Sequence, residues 1–139
     1  MVSKKVYIAP DGFISFIDRV HKKHVQTTAF FRYCAQEQYQ LYTNPITINE
    51  TYMTIYNTIS PSLARDFLRA IDLSNINVIH PENADMKAAI KIIETGTSVD
   101  LTFAKALMAV MCNKKSIPQI MTYEFLHALY GLQLFYLPV

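Results

Sequence analysis

The sequence predicts an α/β fold in which a mostly parallel central sheet of about five strands lies between layers of helix. Two patterns carry that reading. Short runs of β-favouring apolar residues alternate along the whole chain with stretches whose apolar residues recur at helical spacing. Turn and cap residues separate them, most clearly Asn44-Pro45, Ser60-Pro61 and Gly96. The 139 residues are 51% apolar and 17% charged, which suits one domain spanning 1–139 with a full hydrophobic core.

The first strand is expected at Val6 to Ala9, followed by a turn at Asp11-Gly12 and a helix with Phe13, Ile14, Phe16, Ile17 and Val20 on its apolar face. A second helix runs from His24 to about Gln38, with Val25, Ala29, Phe30, Tyr33 and Cys34 along one side. The segment Tyr39 to Pro45 reads as a strand ended by Asn44-Pro45. A helix then carries Glu50 in its first turns, with Thr47 or Asn49 as cap. Ser60 and Pro61 are suited to the cap and first position of the next helix, which runs to about Ile71. A short strand before Pro81 leads into a helix from Glu82 to Thr95 that buries Ala84, Ala88 and Ile92, and Gly96 closes it. A helix starting near Asp100 or Thr102 presents Leu107, Val110 and Met111. Strands over 117–125 and 132–139 complete the sheet.

Composition removes several classes of function. Three glycines and no GxGxxG or Walker pattern set aside the nucleotide-binding folds that use such loops. No stretch reaches the ~20 apolar residues of a membrane helix. Cys34 and Cys112 lack metal-binding or redox spacing, and with no secretory-type N-terminus they fit a reducing, cytoplasmic setting. The net charge is only +2, so attraction to nucleic acid requires local clusters. The clusters present are Lys4-Lys5, Arg19 with Lys22-Lys23, and Lys114-Lys115, each of which also reads as an ordinary solvated face. His21 and His24 have no companion acid or cysteine for a metal, and His80 and His127 have no legible Ser or Cys partner for a triad.

In a parallel sheet, ligands bind beyond the C-terminal strand ends. The polar residues expected there are Asp11, Thr43, Asn44, Glu50, Lys105, Thr122 and Glu124. Clustered carboxylates at such a rim are suited to a hard divalent cation that orients an attacking water. Singly, each also reads as a cap or surface charge.

The segment LTFAKALMAVMCNKKSIPQIMTYEFLHA resembles the helix-strand segment of the PIN domains, in particular the VapC-type toxin ribonucleases. That family segment usually runs Leu-Ser-x-x-Asp-Ala-Leu, then a helix ending in basic residues, a short strand and Thr-Phe-Asp. Leu101, Thr102, Ala106, Leu107, Ile120, Met121, Thr122 and Tyr123 agree with it without a gap. ITINETYMTIYN resembles the segment carrying the family's glutamate, here Glu50, and VYIAPDGFISFI resembles the opening strand. The order of elements matches over nearly the whole chain. The resemblance implies a PIN-like three-layer α/β/α fold, a site for Mg²⁺ or Mn²⁺, RNA as a partner, an antitoxin-like protein partner, and a homodimer for which Tyr52, Ile55, Tyr56 and Ile59 offer an apolar stripe.

The chemistry departs from that pattern at two positions. The first family aspartate falls on Ala9, and the aspartate before Ala-Leu falls on Lys105. Asp11, Glu50 and Glu124 remain as an acidic pocket, with Asp100 nearby on the same helix start. Two readings follow. In the first, the protein lacks metal-dependent nuclease activity and acts by binding RNA or protein, the Lys105 ammonium neutralising the acids in place of a cation. In the second, Asp11, Glu50 and Glu124 hold the metal of an active endoribonuclease in a rearranged ligand set.

Overall fold

The computed structural model describes residues 3–96, 101–124 and 133–134, and they form five parallel strands and six helices. The strands are β1 (Lys5–Ile8), β2 (Gln40–Thr43), β3 (Asn77–Val78), β4 (Gln119–Met121) and β5 (Gln133–Leu134). The helices are α1 (Pro10–Ile17), α2 (His24–Gln36), α3 (Pro45–Thr58), α4 (Pro61–Leu73), α5 (Asn83–Thr95) and α6 (Phe103–Lys114). Strand order is β3-β2-β1-β4-β5, so the chain builds outward from β1 on one side and then crosses to the other. That reversal puts a switch point between β1 and β4, where Tyr7 pairs with Ile120 and Ile8 with Met121.

Burial on both faces explains why β1 is apolar without alternation. Val6 and Ile8 pack with Phe13, Phe30, Ile55, Phe67 and Met121 under α1 to α4. Tyr7 points the other way, into a cluster with Met108, Ala109, Cys112, Ile117 and Ile120, and α5 joins that side through Ala89. The three layers are therefore those expected.

Several local expectations shift. α1 starts at Pro10, so Asp11 and Gly12 form its first turn and no separate turn precedes it. Proline is suited to the first helical position and an acid to the first turn. The cap of α3 is Asn44, whose Oδ1 accepts from Thr47 N–H at 2.8 Å, not Thr47 or Asn49. Ser60 caps α4 as expected, accepting from Leu63 N–H at 3.0 Å, and Thr102 caps α6, accepting from Lys105 N–H at 3.2 Å.

On α2 the buried residues are Thr27, Phe30 and Cys34, while Val25 is 80% exposed. On α5 they are Asp85 and Ala89, not Ala84 and Ala88. Asp85 displaces the alanines because its carboxylate accepts from Glu82 N–H at 2.9 Å and faces the Lys114 ammonium at 3.3 Å. The α3 stripe splits, since Ile55 is core while Tyr56 and Ile59 remain exposed. Gly96 ends α5 with φ −79°, outside the left-handed region; a Cβ there would stand 2.8 Å from the Ile92 carbonyl oxygen.

Candidate functional site

A cleft of about 400 Å³ opens at the C-terminal ends of β1 and β4. Each wall has a local reason for its position. Ile8 ends β1, and Ala9, 6% exposed, follows as the cap position of α1 with its N–H given to Met121 O at 3.2 Å. It adds a methyl group to the cleft and no oxygen. Gly12 lets α1 lie close to β4, because a Cβ on it would meet Met121 Sδ at 3.0 Å and Met121 O at 3.2 Å. That closeness brings Asp11 to the end of β4, where its Oδ2 accepts from Thr122 Oγ1 at 2.8 Å and from Tyr123 N–H at 2.6 Å.

The opposite wall comes from α3 and α6. Glu50 of α3 lines the cleft, and partial desolvation raises its pKa, with a smaller upward push from Glu124 and an opposing pull from Lys105. Lys105 is the third residue of α6, in the slot where Thr-x-x-acid would complete a capping box. A cation is disfavoured at a helix N-terminus. It is held there by Glu124, whose Oε2 lies 3.1 Å from Nζ, with the lysine side chain 34% exposed. Beneath the cleft Tyr7 OH and Thr47 Oγ1 are 2.6 Å apart, and burial pushes the Tyr7 hydroxyl well above its usual pKa.

The structure thus brings Ala9, Asp11, Glu50, Lys105, Thr122 and Glu124 to one cleft. Thr43 and Asn44 are not at the rim: both are buried, Asn44 as the α3 cap with its amide against Met111 Sδ at 3.4 Å. Asp100 and His127 lie outside the described residues. His21 and His24 are used by the loop between α1 and α2, His21 Nδ1 accepting from Lys23 N–H at 3.0 Å and His24 Nδ1 lying 3.0 Å from Ser15 O. Among the described residues, no three His, Cys, Asp or Glu side chains form a group that could hold a metal ion.

Sequence reasoning missed the anchoring of Tyr123. Its hydroxyl lies 2.7 Å from Thr27 Oγ1, which in turn lies 2.7 Å from Ser15 Oγ, and Lys23 Nζ sits 5.4 Å from the centre of its ring. Only the tertiary fold joins residues about a hundred positions apart, so no local signal marks them. A second, larger groove of about 720 Å³ lies between α1, α2 and α4, walled by Phe13, Phe16, Phe31, Tyr39, Phe67 and Ile71.

No protein-family model matches the chain, and no curated protein matches it. Among solved structures, Mycobacterium tuberculosis VapC20, described as a sarcin-ricin loop cleaving toxin, aligns with a TM-score of 0.76 at 16% identity. The alignment covers 86% of this chain and 89% of that one. The likeness shows the fold: this chain adopts the VapC-like PIN fold. No helix among the described residues is long and apolar enough to cross a membrane.

Proposed function

We propose that this protein is a PIN-fold binding protein that engages RNA or a protein partner without metal-dependent cleavage, its acidic cleft neutralised from within by Lys105. The observation that carries the reading is the 3.1 Å contact between Lys105 Nζ and Glu124 Oε2. A divalent cation asks for several converging oxygen ligands. Here Ala9 supplies none, Asp11 already accepts two hydrogen bonds, and Lys105 places a like charge beside the remaining acids. Among the described residues the donor set does not fit Mg²⁺ or Mn²⁺.

The protein-binding arm draws on the groove between α1, α2 and α4, whose aromatic lining is suited to an apolar partner segment such as that of an antitoxin-like protein. The RNA arm draws on the fold shared with a sarcin-ricin loop cleaving toxin. A second reading has its own support, because the carboxylates of Asp11, Glu50 and Glu124 line one cleft. It makes the protein a Mg²⁺-dependent endoribonuclease with rearranged ligands.

Incubating the purified protein with a mixed-sequence RNA, with and without Mg²⁺ or Mn²⁺, separates the two. The proposal expects intact RNA in every lane. Metal-dependent fragments that vanish on Glu50→Gln would establish the second reading instead.

A further inference from the structure

We propose that the groove between α1, α2 and α4 is a binding site for a neutral, planar aromatic small molecule. The inference goes beyond the reading of the acidic cleft, with which the groove shares no lining residue among those described. A ligand there would exclude the partner segment that the protein-binding arm places between the same walls.

The groove opens where two helices do not close on one another. α2 packs against α1 and α4 against α3, with no comparable contact between α2 and α4. Its volume of about 720 Å³ lies within the ~300 to 1,000 Å³ of small-molecule sites. Phe13, Cys34 and Phe67 form a buried floor. Ring centres stand 5.3 Å apart in the pair Phe13–Phe67 and 4.7 Å apart in Phe16–Phe31, tilted at 60° and 58°. Two rings of α1 therefore meet one of α4 and one of α2. Phe16 is still 41% exposed, which leaves ring surface for a further aromatic group, and such contacts add to the gain from burial alone.

Charge decides the class of ligand. None of the described residues lining the groove is charged, in a chain where 17% are. Lys4 lies 5.9 Å from the centre of the Tyr39 ring at the groove wall, but it is paired with Glu37 at 3.7 Å. An ionic ligand would lose its hydration here and gain no counter-charge. The polar groups on offer are side-chain amides. Gln40 Oε1 accepts from Tyr42 OH at 2.7 Å, and Asn77 Nδ2 donates to Leu41 O at 3.2 Å. Each amide is thus oriented through one end and presents the other to the hydrogen-bonding edge of a ligand. Desolvation pushes the Cys34 thiol up to about 12, so it stays protonated and serves as an apolar wall, not as a nucleophile or metal ligand.

The probe is N-phenylnaphthylamine, a neutral dye that brightens on leaving water, titrated into the intact protein beside anilinonaphthalene sulfonate, which adds one anionic group to the same rings. The neutral dye is expected to saturate at one per chain and to raise the melting temperature, and the sulfonate to bind at least about tenfold more weakly. Phe16→Ala should weaken the neutral dye about tenfold. Ala70→Phe, which brings a ring into the groove from an exposed position on α4, should abolish its binding. Val20→Ala, on an exposed apolar residue outside the groove, should leave it unchanged. Thermal melts of each variant without dye confirm that the fold is intact. No saturable binding, a sulfonate that binds as tightly as the neutral dye, or an Ala70→Phe variant that binds like the wild type overturns the proposal.

Discussion

The ammonium of Lys105 stands 3.1 Å from Glu124 Oε2 in the first turn of α6, where the helix dipole favours an acid. The position makes local sense only through the carboxylates around it. Glu50 has its pKa raised chiefly by desolvation, and Lys105 acts against that rise.

Removing the ammonium should therefore raise the Glu50 pKa further. Lys105→Gln is expected to move the Glu50 midpoint upward in an NMR titration of side-chain carboxyls. Because the ion pair is partly solvated, global stability should change by less than about 1 kcal/mol. A Glu50 midpoint that stays in place would show that the lysine does not act on this group.

Glu50 also gives stability a pH dependence of definite sign. A carboxylate whose pKa is higher in the folded than in the unfolded state favours folding while protonated. That contribution is full below the unfolded pKa and fades as pH rises through the folded value. Relative to Glu50→Gln, the wild type should lose thermal stability as pH climbs from the ordinary glutamate range toward neutrality. Parallel melting curves at all pH values would contradict the upward shift of the Glu50 pKa.

Asp11 is expected to be a structural clamp. Asp11→Ala removes two hydrogen bonds from a charged acceptor that ties α1 to the end of β4, at a cost of about 1 to 3 kcal/mol by urea unfolding. Thr122→Val, which removes one of the two donors, should cost less. Full stability in Asp11→Ala would free that carboxylate for another role.

Asp85 behaves in the opposite sense to Glu50. The Glu82 N–H, followed by Lys114, holds its pKa below the usual aspartate value. Its stabilisation is present above the unfolded pKa and is lost as pH falls through the folded one. Asp85→Asn should therefore narrow its deficit relative to wild type in acid. A deficit constant from neutral to acid pH would mean that the Glu82 N–H and Lys114 together do not favour the ionised Asp85 carboxylate.

The strands and helices were legible because their signals are local: the apolar run of β1, Ser60-Pro61 before α4, the helical spacing of α6. The side on which a helix buries itself was less so. Thr27 of α2 is buried because it bonds Ser15 and Tyr123, and Asp85 of α5 because it meets Lys114; each partner is remote or on another element. Spacing rules count such polar residues as exposed. At the cleft the acids were legible as residue types, and Ala9 and Lys105 as departures from the PIN pattern. The commitment of Asp11 was not, since it depends on α1 starting at Pro10 and on the close approach that Gly12 permits.

Isothermal titration calorimetry with Mg²⁺ and Mn²⁺, on the wild type and on the double variant Ala9→Asp with Lys105→Asp, tests the central claim most directly. The account predicts heat of binding for the variant, whose two restored carboxylates join Glu50 and Glu124, and none for the wild type. Saturable binding by the wild type that is lost on Glu50→Gln would contradict it, and would return the cleft to metal-dependent chemistry.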